Sequence, residues 1–309
     1  MFRNWVSIGL IAGLAACDGG TGNNPINGGG GGGDGETTQN DIPEELARNL
    51  QRINYNADTD TLIVEISSLD SGDGEATYDR NPALDVPGYS AFTLQDDPLD
   101  RMFIALVAAS TDGSVQAGVV GDGGQFNRYF SGGFYERTGP YSQPTTGQVS
   151  YAGAYAGITN LPAAGDNLLD PPPGTDPSLL PREPRITVGT AFLNVSFGDN
   201  SVNGAIFDRS FVDDGSTLPD VALIETELDS NGEFLGTVEF SGRPDEGQIG
   251  SFGGILGGEG ATSVAGVIYL DSIYVSDDPR NSGFENEVGV FVLPQCGTPG
   301  APSICDDLN

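Results

Sequence analysis

The chain contains three cysteines, and their positions indicate two different chemistries. Cys17 follows Leu14-Ala15-Ala16, at the end of a short apolar run that begins after the positive charge of Arg3. Small residues before a cysteine are typical of a bacterial lipobox, in which the cysteine thiol takes up a diacylglycerol. The motif therefore predicts a signal peptide over 1–16 and lipidation at Cys17. The alternative is an ordinary signal peptide followed by a chance cysteine.

Cys296 and Cys305 lie close together near the end of the chain. The exported part of a bacterial lipoprotein is in an oxidising compartment, where neighbouring cysteines tend to pair. We therefore predict a disulfide between them, which would contribute roughly 2–3 kcal/mol through the chain entropy of the unfolded state. A redox-active pair would have the closer C-x-x-C spacing.

Residues that could support catalysis are scarce. The chain has no histidine and no lysine, so the Ser-His-Asp and Cys-His arrangements and the commonest metal ligand are missing. The many carboxylates leave a glycosidase-type acid pair open, although no two of them are distinguished. Gly28–Gly33 is a low-complexity run without the strand and helix of a phosphate-binding loop. We predict a protein that is not an enzyme, with no catalytic residue, no metal site and no cofactor.

The charge of the chain is strongly negative. Its 44 acidic and 12 basic residues give a formal net charge of -32, and loss of Arg3 with the signal peptide would make it about one unit more negative. A field of this sign repels phosphate backbones, which excludes nucleic acid as a partner. Membrane attachment would then depend on the covalent lipid. Two interpretations of the charge remain open, solubility in a salty environment and attraction of a basic partner.

The region after Cys17 is predicted to be a tether. Residues 17–42 are rich in glycine, and about twenty such residues reach roughly 25 Å. Asp41 and Pro43 then predict the start of a short helix on which Leu46 and Leu50 would share one face.

Residues 43–145 contain short apolar runs between Gly/Asp turns, which predicts a small antiparallel β-domain or strands that pack against the barrel. The runs that we interpret as strands are Thr61–Ile66, Met102–Ala109, Val115–Val120 and Phe126–Phe130. Met102–Ala109 is almost continuously apolar, so we expect both of its faces to be buried. A cluster of aromatic residues could be a binding surface, although core is the commoner role: Phe126, Tyr129, Phe130, Phe134 and Tyr135.

Acidic residues flank the first of these strands, at Asp58 and Asp60 before it and within 70–75 after it. Carboxylates are typical calcium ligands, but the spacing does not match an EF-hand loop. A solvated acidic turn is the default interpretation, and calcium binding stays an open alternative.

From residue 146 to residue 295 the pattern predicts a curved, closed sheet. Apolar and polar residues alternate through Ala191–Phe197 and Val202–Ile206 on either side of a Gly/Asp/Asn turn, which indicates a hairpin with one buried face. Glycines within Ser251–Asp271 indicate bends or close backbone approach. We assign these residues of later strands to the inner face: Ala222, Ile224, Thr226, Leu228, Phe234, Gly236, Val238, Phe240, Val288, Val290 and Val292. About eight strands would leave a lumen that side chains fill or that holds one small ligand.

One long segment interrupts this pattern. Asn160–Pro184 is rich in proline, which cannot donate to a strand ladder, so we expect a long excursion rather than a strand. Its leucines make it more apolar than a simple spacer. Loops of this length on a rigid scaffold often carry binding functions.

Four segments resemble a known family when their order and spacing are taken together: Gln148–Gly157, Ala191–Phe197 followed by Val202–Ile206, Asn231–Thr237 and Phe252–Gly266. They are similar to the β-barrel domain of transferrin-binding-protein-B-like surface lipoproteins, a group that includes the factor-H-binding-type barrels. The resemblance implies an all-β fold, with an eight-stranded antiparallel barrel preceded by a small β "handle". It also implies a lipid-anchored envelope protein that binds a protein or small ligand.

The chain departs from that family in composition, because the family is rich in lysine and often has two lobes. We therefore predict a binding barrel without predicting transferrin as its partner. The outer membrane or cell surface is the expected location. Asp18 follows the lipidated position and resembles an inner-membrane retention signal, so the inner membrane stays an open alternative. The alternatives are a structural envelope lipoprotein without a soluble ligand and, more remotely, a carbohydrate-active enzyme. The predicted regions are signal peptide 1–16, tether 17–42, β-rich domain 43–145, barrel 146–295 and disulfide-closed tail 296–309.

Overall fold

The structure, a computed structural model, describes residues 42–67, 75–298 and 301–308. The signal peptide, Cys17 and nearly all of the tether lie outside the described residues, as does most of the acidic 70–75 segment. No helix among the described residues is long and apolar enough to span a bilayer.

A single turn of helix begins the described chain. Helix α1 covers Glu44–Ala47, directly after Pro43. The predicted sharing of a helical face by Leu46 and Leu50 is wrong, because the helix ends at Ala47 and Leu50 begins the first strand. Both leucines are nevertheless buried.

The first sheet has seven antiparallel strands in sequential order. They are β1 (Leu50–Asn56), β2 (Thr61–Ile66), β3 (Glu75–Arg80), β4 (Ser90–Leu94), β5 (Phe103–Ala109), β6 (Val115–Asp122) and β7 (Ser131–Arg137). The sheet curls until its ends nearly meet, where the Asn49 amide donates to the Ser131 carbonyl over 3.0 Å. A core that includes Leu62, Tyr78 and Phe92 fills its concave side.

The second sheet is a closed barrel. Its strands are β8 (Tyr141–Ser142), β9 (Gln148–Pro162), β10 (Pro184–Ser196), β11 (Ser201–Phe211), β12 (Val221–Glu227), β13 (Glu233–Phe240), β14 (Gln248–Glu259), β15 (Ser263–Leu270) and β16 (Glu287–Pro294). Strands β9 to β16 form an antiparallel ring that the β13–β14 pairing completes, while β8 lies parallel to the end of β14. The all-β class and the eight-stranded barrel are confirmed.

The two sheets pack face to face through a shared apolar core. It combines Ile104, Leu106 and Val119 of the first sheet with Val267 and Val290 of the barrel. The approach is close, because a Cβ atom at Gly133 would lie 2.5 Å from a methyl carbon of Val267. The prediction that β5 is buried on both faces is confirmed, since its alternate residues belong to this core and to the core of the first sheet.

This packing corrects the assignment of β16. Val288, Val290 and Val292 were predicted to face the lumen, but they face the first sheet. The lumen instead receives Phe291 and Leu293. A strand covered on both sides is apolar at nearly every position, so alternation cannot show which face is inner.

The assignment of β12 is partly wrong for a different reason. Val221 and Leu223 are the buried residues at its start, rather than Ala222 and Ile224. The register shifts between Val202 and Gly204 of β11, which face Thr226 and Leu223. Two residues of β12, Ile224 and Glu225, therefore oppose one residue of β11, Asn203. This bulge reverses the phase, so the predicted inward position of Leu228 is correct.

The predicted strand Phe126–Phe130 is also wrong. Gln125 and Arg128 form an isolated bridge around a tight turn, and Phe126 and Asn127 both have positive φ. The turn was predicted at the glycines of 121–124, but β6 extends to Asp122 and the chain turns at 125–128 instead.

A buried ion pair crosses the barrel lumen. Arg209 Nη2 lies 2.7 Å from Glu287 Oε2, and both side chains are 0% exposed. The hydroxyls of Tyr155 and Thr187 donate to the other oxygen of the same carboxylate, and Arg209 Nη1 donates to the Pro219 carbonyl over 2.7 Å. Removal of one charge would leave the other uncompensated in a desolvated site.

We predict that Glu287→Ala lowers the free energy of unfolding by about 3–5 kcal/mol, the usual cost of breaking a buried pair. Urea denaturation followed by circular dichroism measures this change. Glu225→Ala, at an exposed glutamate of β12, is the matched control and should stay within about 0.5 kcal/mol of wild type. Equal effects of the two substitutions would contradict the structural role of the pair.

Candidate functional site

A large cleft lies where the first sheet meets one end of the barrel. Its volume is about 880 Å³, within the range of small-molecule sites. The walls come from the turn after α1, the β6–β7 turn, the end of β9, the β9–β10 excursion, β15 and the β15–β16 loop. The lining residues are Arg48, 124–129, Asn160, Pro177, Ser178, Leu180, Arg182, Tyr269, Phe284 and Asn286.

The β6–β7 turn presents a strained aromatic residue at this cleft. Phe126 has φ 53° and Asn127 has φ 56°, which is the geometry of a type I′ turn. Asn-Gly is the usual pair in such a turn, and a bulky residue at positive φ is uncommon. The Phe126 side chain is nevertheless 59% exposed. Strain of this kind persists only where the surroundings enforce it, and it concentrates at binding sites.

A buried ion pair beneath this turn stabilises its backbone. Arg101 pairs with Asp122, and both side chains are almost completely buried. The Arg101 guanidinium also donates to the carbonyls of Gln125, over 2.8 Å, and Arg128, over 3.0 Å. The Asp122 carboxylate accepts the amides of Gly124 and Phe130. Burial raises the pKa of Asp122, and these hydrogen bonds oppose the shift.

The second exposed aromatic residue is held in a similar way. Phe284 is 78% exposed and lies in the β15–β16 loop. Its amide and those of Ser282 and Gly283 donate to the Glu285 carboxylate over 2.9–3.1 Å. Asn160 of β9 donates to the Phe284 carbonyl over 2.6 Å. Burial favours protonation of Glu285, but hydrogen bonds from Ser282 and the loop amides prevail and lower its pKa.

The β9–β10 excursion forms the remaining wall. Its base is closed by Glu183, whose carboxylate accepts the Asn167 amide, over 3.2 Å, and the Asn167 side chain, over 2.5 Å. Gln125 joins the excursion to the first sheet by donating to the Leu179 carbonyl over 2.8 Å. Gly123 is needed at the contact, because a Cβ atom there would collide with the backbone of Arg182.

The cleft is cationic, in contrast to the rest of the molecule. Among the residues that the structure describes, no aspartate or glutamate lines it, whereas Arg48, Arg128 and Arg182 do. The Arg48 guanidinium lies over the Tyr269 ring, 3.8 Å from its centroid. Burial raises the pKa of the Tyr269 hydroxyl, so the ring stays uncharged beneath the cation.

The predicted aromatic cluster divides between the two roles considered for it. Phe134 and Tyr135 are buried in the cores, and Phe130 lies beneath the Arg101 guanidinium, 4.9 Å from it. Phe126 and Tyr129 line the cleft. Sequence reasoning did not single out Phe284 or the cleft arginines, although an arginine is rare enough in this acidic chain to have been a signal.

The other predicted site residues lie elsewhere. Cys296 and Cys305 form a disulfide beside the start of β9, where the Cys296 amide donates to Ser150. Cys17 falls outside the described residues. Within 42–67, 75–298 and 301–308, no three His, Cys, Asp or Glu side chains are grouped to hold a metal.

The fold defines a two-sheet, barrel-containing class of protein, and solved structures of that class are similar to it. No family model matches the chain, and no curated protein matches it either. Intact Ap-TbpB, with N and C lobes, is 15% identical with a TM-score of 0.41, over 79% of this chain and 43% of that one. A single mutant of the vaccine antigen Transferrin Binding Protein B from Haemophilus parasuis Hp5 is 16% identical with a TM-score of 0.40, over 72% of this chain and 39% of that one. A double mutant of the same protein is 16% identical with a TM-score of 0.42, over 79% of this chain and 45% of that one.

These similarities concern the fold alone, and the matched proteins belong to the group that the sequence resembles. The chain spans less than half the length of each of these proteins.

We predict that Arg101→Met releases the β6–β7 turn. The Gln125 and Arg128 amides, which now bond to each other's carbonyls, should exchange with solvent about tenfold faster or more, because a hydrogen bond to a charged group contributes about 1.5–3 kcal/mol. Hydrogen exchange measured by NMR tests this. Arg52→Met, which breaks an exposed pair in the same sheet, should leave both rates unchanged. Unchanged exchange rates in Arg101→Met would show that the turn is stable without Arg101, which would contradict the prediction.

We also predict that acid loosens the Phe284 loop. Because the folded pKa of Glu285 lies below its ordinary value of 4.5, its stabilising effect is complete above that pH and is lost as the pH falls through the folded pKa. Exchange protection of the 282–284 amides should therefore decline in acid. Glu285→Gln should abolish this dependence, and Glu225→Gln should retain it. Wild-type protection that stays constant to pH 2 would contradict the prediction.

Proposed function

We propose that this chain is a lipid-anchored binding protein of the bacterial cell envelope, and that the cleft between its two sheets takes the ligand. The observation that carries the proposal is the presentation of Phe126 and Phe284, which are strongly exposed yet held by buried polar groups. Exposed aromatic residues on immobilised backbone are typical of binding surfaces, since little entropy is lost when a ligand covers them.

The composition of the cleft supports binding rather than catalysis. Its lining has arginines, aromatic rings and amides, but no carboxylate, thiol or imidazole among the described residues. Those three groups are the commonest general bases and activated nucleophiles in enzymes. We therefore assign the protein a non-enzymatic role, with a protein or a small molecule as ligand.

The position in the envelope rests on the lipobox at Cys17 and on the glycine-rich tether. A lipid at Cys17 would hold the folded head about 25 Å from the bilayer, with its acidic surface turned to solvent. We propose the outer membrane, with the head at the cell surface.

We predict that Cys17→Ser abolishes acylation and releases the protein from membranes. Detergent phase partitioning and palmitate labelling of cell fractions measure this. The double substitution of Cys296 and Cys305 to serine is the control, because it removes two thiols but should leave acylation intact. Labelling of Cys17→Ser would contradict the predicted anchor.

We further predict that cleft substitutions remove ligand capture. Wild-type protein and the Phe126→Ala/Phe284→Ala variant would be exposed to the native growth medium, and bound molecules would be identified by mass spectrometry. A molecule retained by wild type should be lost from the variant. Val212→Ala, which truncates an exposed apolar residue outside the cleft lining, should retain it. Equal retention by all three proteins, or by none, would favour a structural envelope role.

A further inference from the structure

The arginines in the described residues fall into three groups according to their partners. Most of those in the described residues form ion pairs with carboxylates: Arg52, Arg80, Arg101, Arg185, Arg209, Arg243 and Arg280. Arg137 donates to the carbonyls of Leu256 and Asn231. The remaining arginines, Arg48, Arg128 and Arg182, all line the cleft.

This separation is unexpected for a chain in which acidic residues far outnumber basic ones, 44 to 12. A guanidinium placed at random on such a surface would have a carboxylate within reach. The three cleft arginines are exposed, and in the part of the chain that the structure describes none of them forms an ion pair. They therefore concentrate unneutralised positive charge in one concave region of an anionic protein.

The backbone that carries these arginines is held in place. Arg48 lies at φ 48° directly after α1, with its guanidinium on the Tyr269 ring. The Arg128 carbonyl accepts a hydrogen bond from the buried Arg101. The Arg182 backbone packs against Gly123. Charges on fixed backbone lose less conformational entropy when they bind a counter-charge.

We propose that the cleft binds a small anionic molecule that carries several carboxylate or phosphate groups on a flat apolar frame. The guanidinium groups of Arg48, Arg128 and Arg182 bind the acidic groups, because their planar donors match the oxygens of carboxylate and phosphate. Phe126 and Phe284 cover the frame. This inference rests on the proposed function, since it specifies the ligand class of the same cleft.

The experiment uses probes that differ in charge. Benzene-1,3,5-tricarboxylate and its uncharged triamide have the same frame, and inorganic pyrophosphate carries charge without a frame. Isothermal titration of the full-length lipoprotein in detergent should show binding of the tricarboxylate and no measurable binding of the triamide. Pyrophosphate should bind at least about tenfold more weakly than the tricarboxylate, because it lacks the frame that Phe126 and Phe284 would cover, and comparable binding would remove the apolar frame from the proposal.

The variants distinguish the effect of the cleft arginines on affinity from the effect of the net charge of the whole protein. Arg48→Gln, Arg128→Gln and Arg182→Gln should each weaken tricarboxylate binding about tenfold, as expected for one hydrogen-bonded charge. Arg243→Gln makes the same change in net charge at an exposed position outside the cleft, so it should leave the affinity unchanged. Melting temperatures close to that of wild type show that a variant is folded, and any one folded cleft variant is sufficient for the test.

Two results would overturn the inference. One is the absence of binding of both anions at millimolar concentration, and the other is equal weakening by Arg243→Gln and the cleft variants. If a captured natural ligand depends on Phe126 and Phe284 but not on the arginines, the anionic ligand class is wrong while the proposed binding function stands. If capture depends on neither group, the proposed function fails as well.

Discussion

The burial of both faces of the barrel strands β14, β15 and β16 is the constraint on which the structure depends. One face fills the lumen, and the other packs on β5, β6 and β7 of the first sheet. Apolar side chains such as Val267 and Val290 would face water without that cover, at a cost of about 1.5–3 kcal/mol for each large side chain. The first sheet is therefore held against the barrel, and the loops at their junction take fixed positions.

The cleft follows from this packing. The β6–β7 turn belongs to one sheet and the β15–β16 loop to the other, so their distance is determined by the shared core. Each loop then presents a phenylalanine above a buried carboxylate, Asp122 or Glu285, that binds its amides. Buried polar groups of this kind contribute rigidity and conformational specificity where an apolar core alone would not. Exposed aromatic side chains and strained φ angles can persist there because buried charged groups hydrogen-bond the loop backbone beneath them.

Much of the architecture could be predicted from local pattern. Alternation through Ala191–Phe197 places its apolar residues in the lumen, as observed, and β5 is buried on both faces. The predictions failed where the local pattern carries no information about which face of a strand is the inner one. Val288, Val290 and Val292 alternate as an inner face would, but either face of a doubly covered strand is apolar. In β12, one additional residue reverses the phase without any change in composition.

By itself, the sequence determined the all-β class, the first hairpin turn of the barrel at 198–200, the excursion after β9 and the absence of histidine chemistry, because each depends on residue type and short-range spacing. The site was decided only by tertiary structure. Arg48, Arg128 and Arg182 are separated by long stretches of chain, and no local spacing indicates that they line one cleft or that they lack acidic partners. That information exists only once two sheets pack together, because proximity between distant segments is a property of the packed cores.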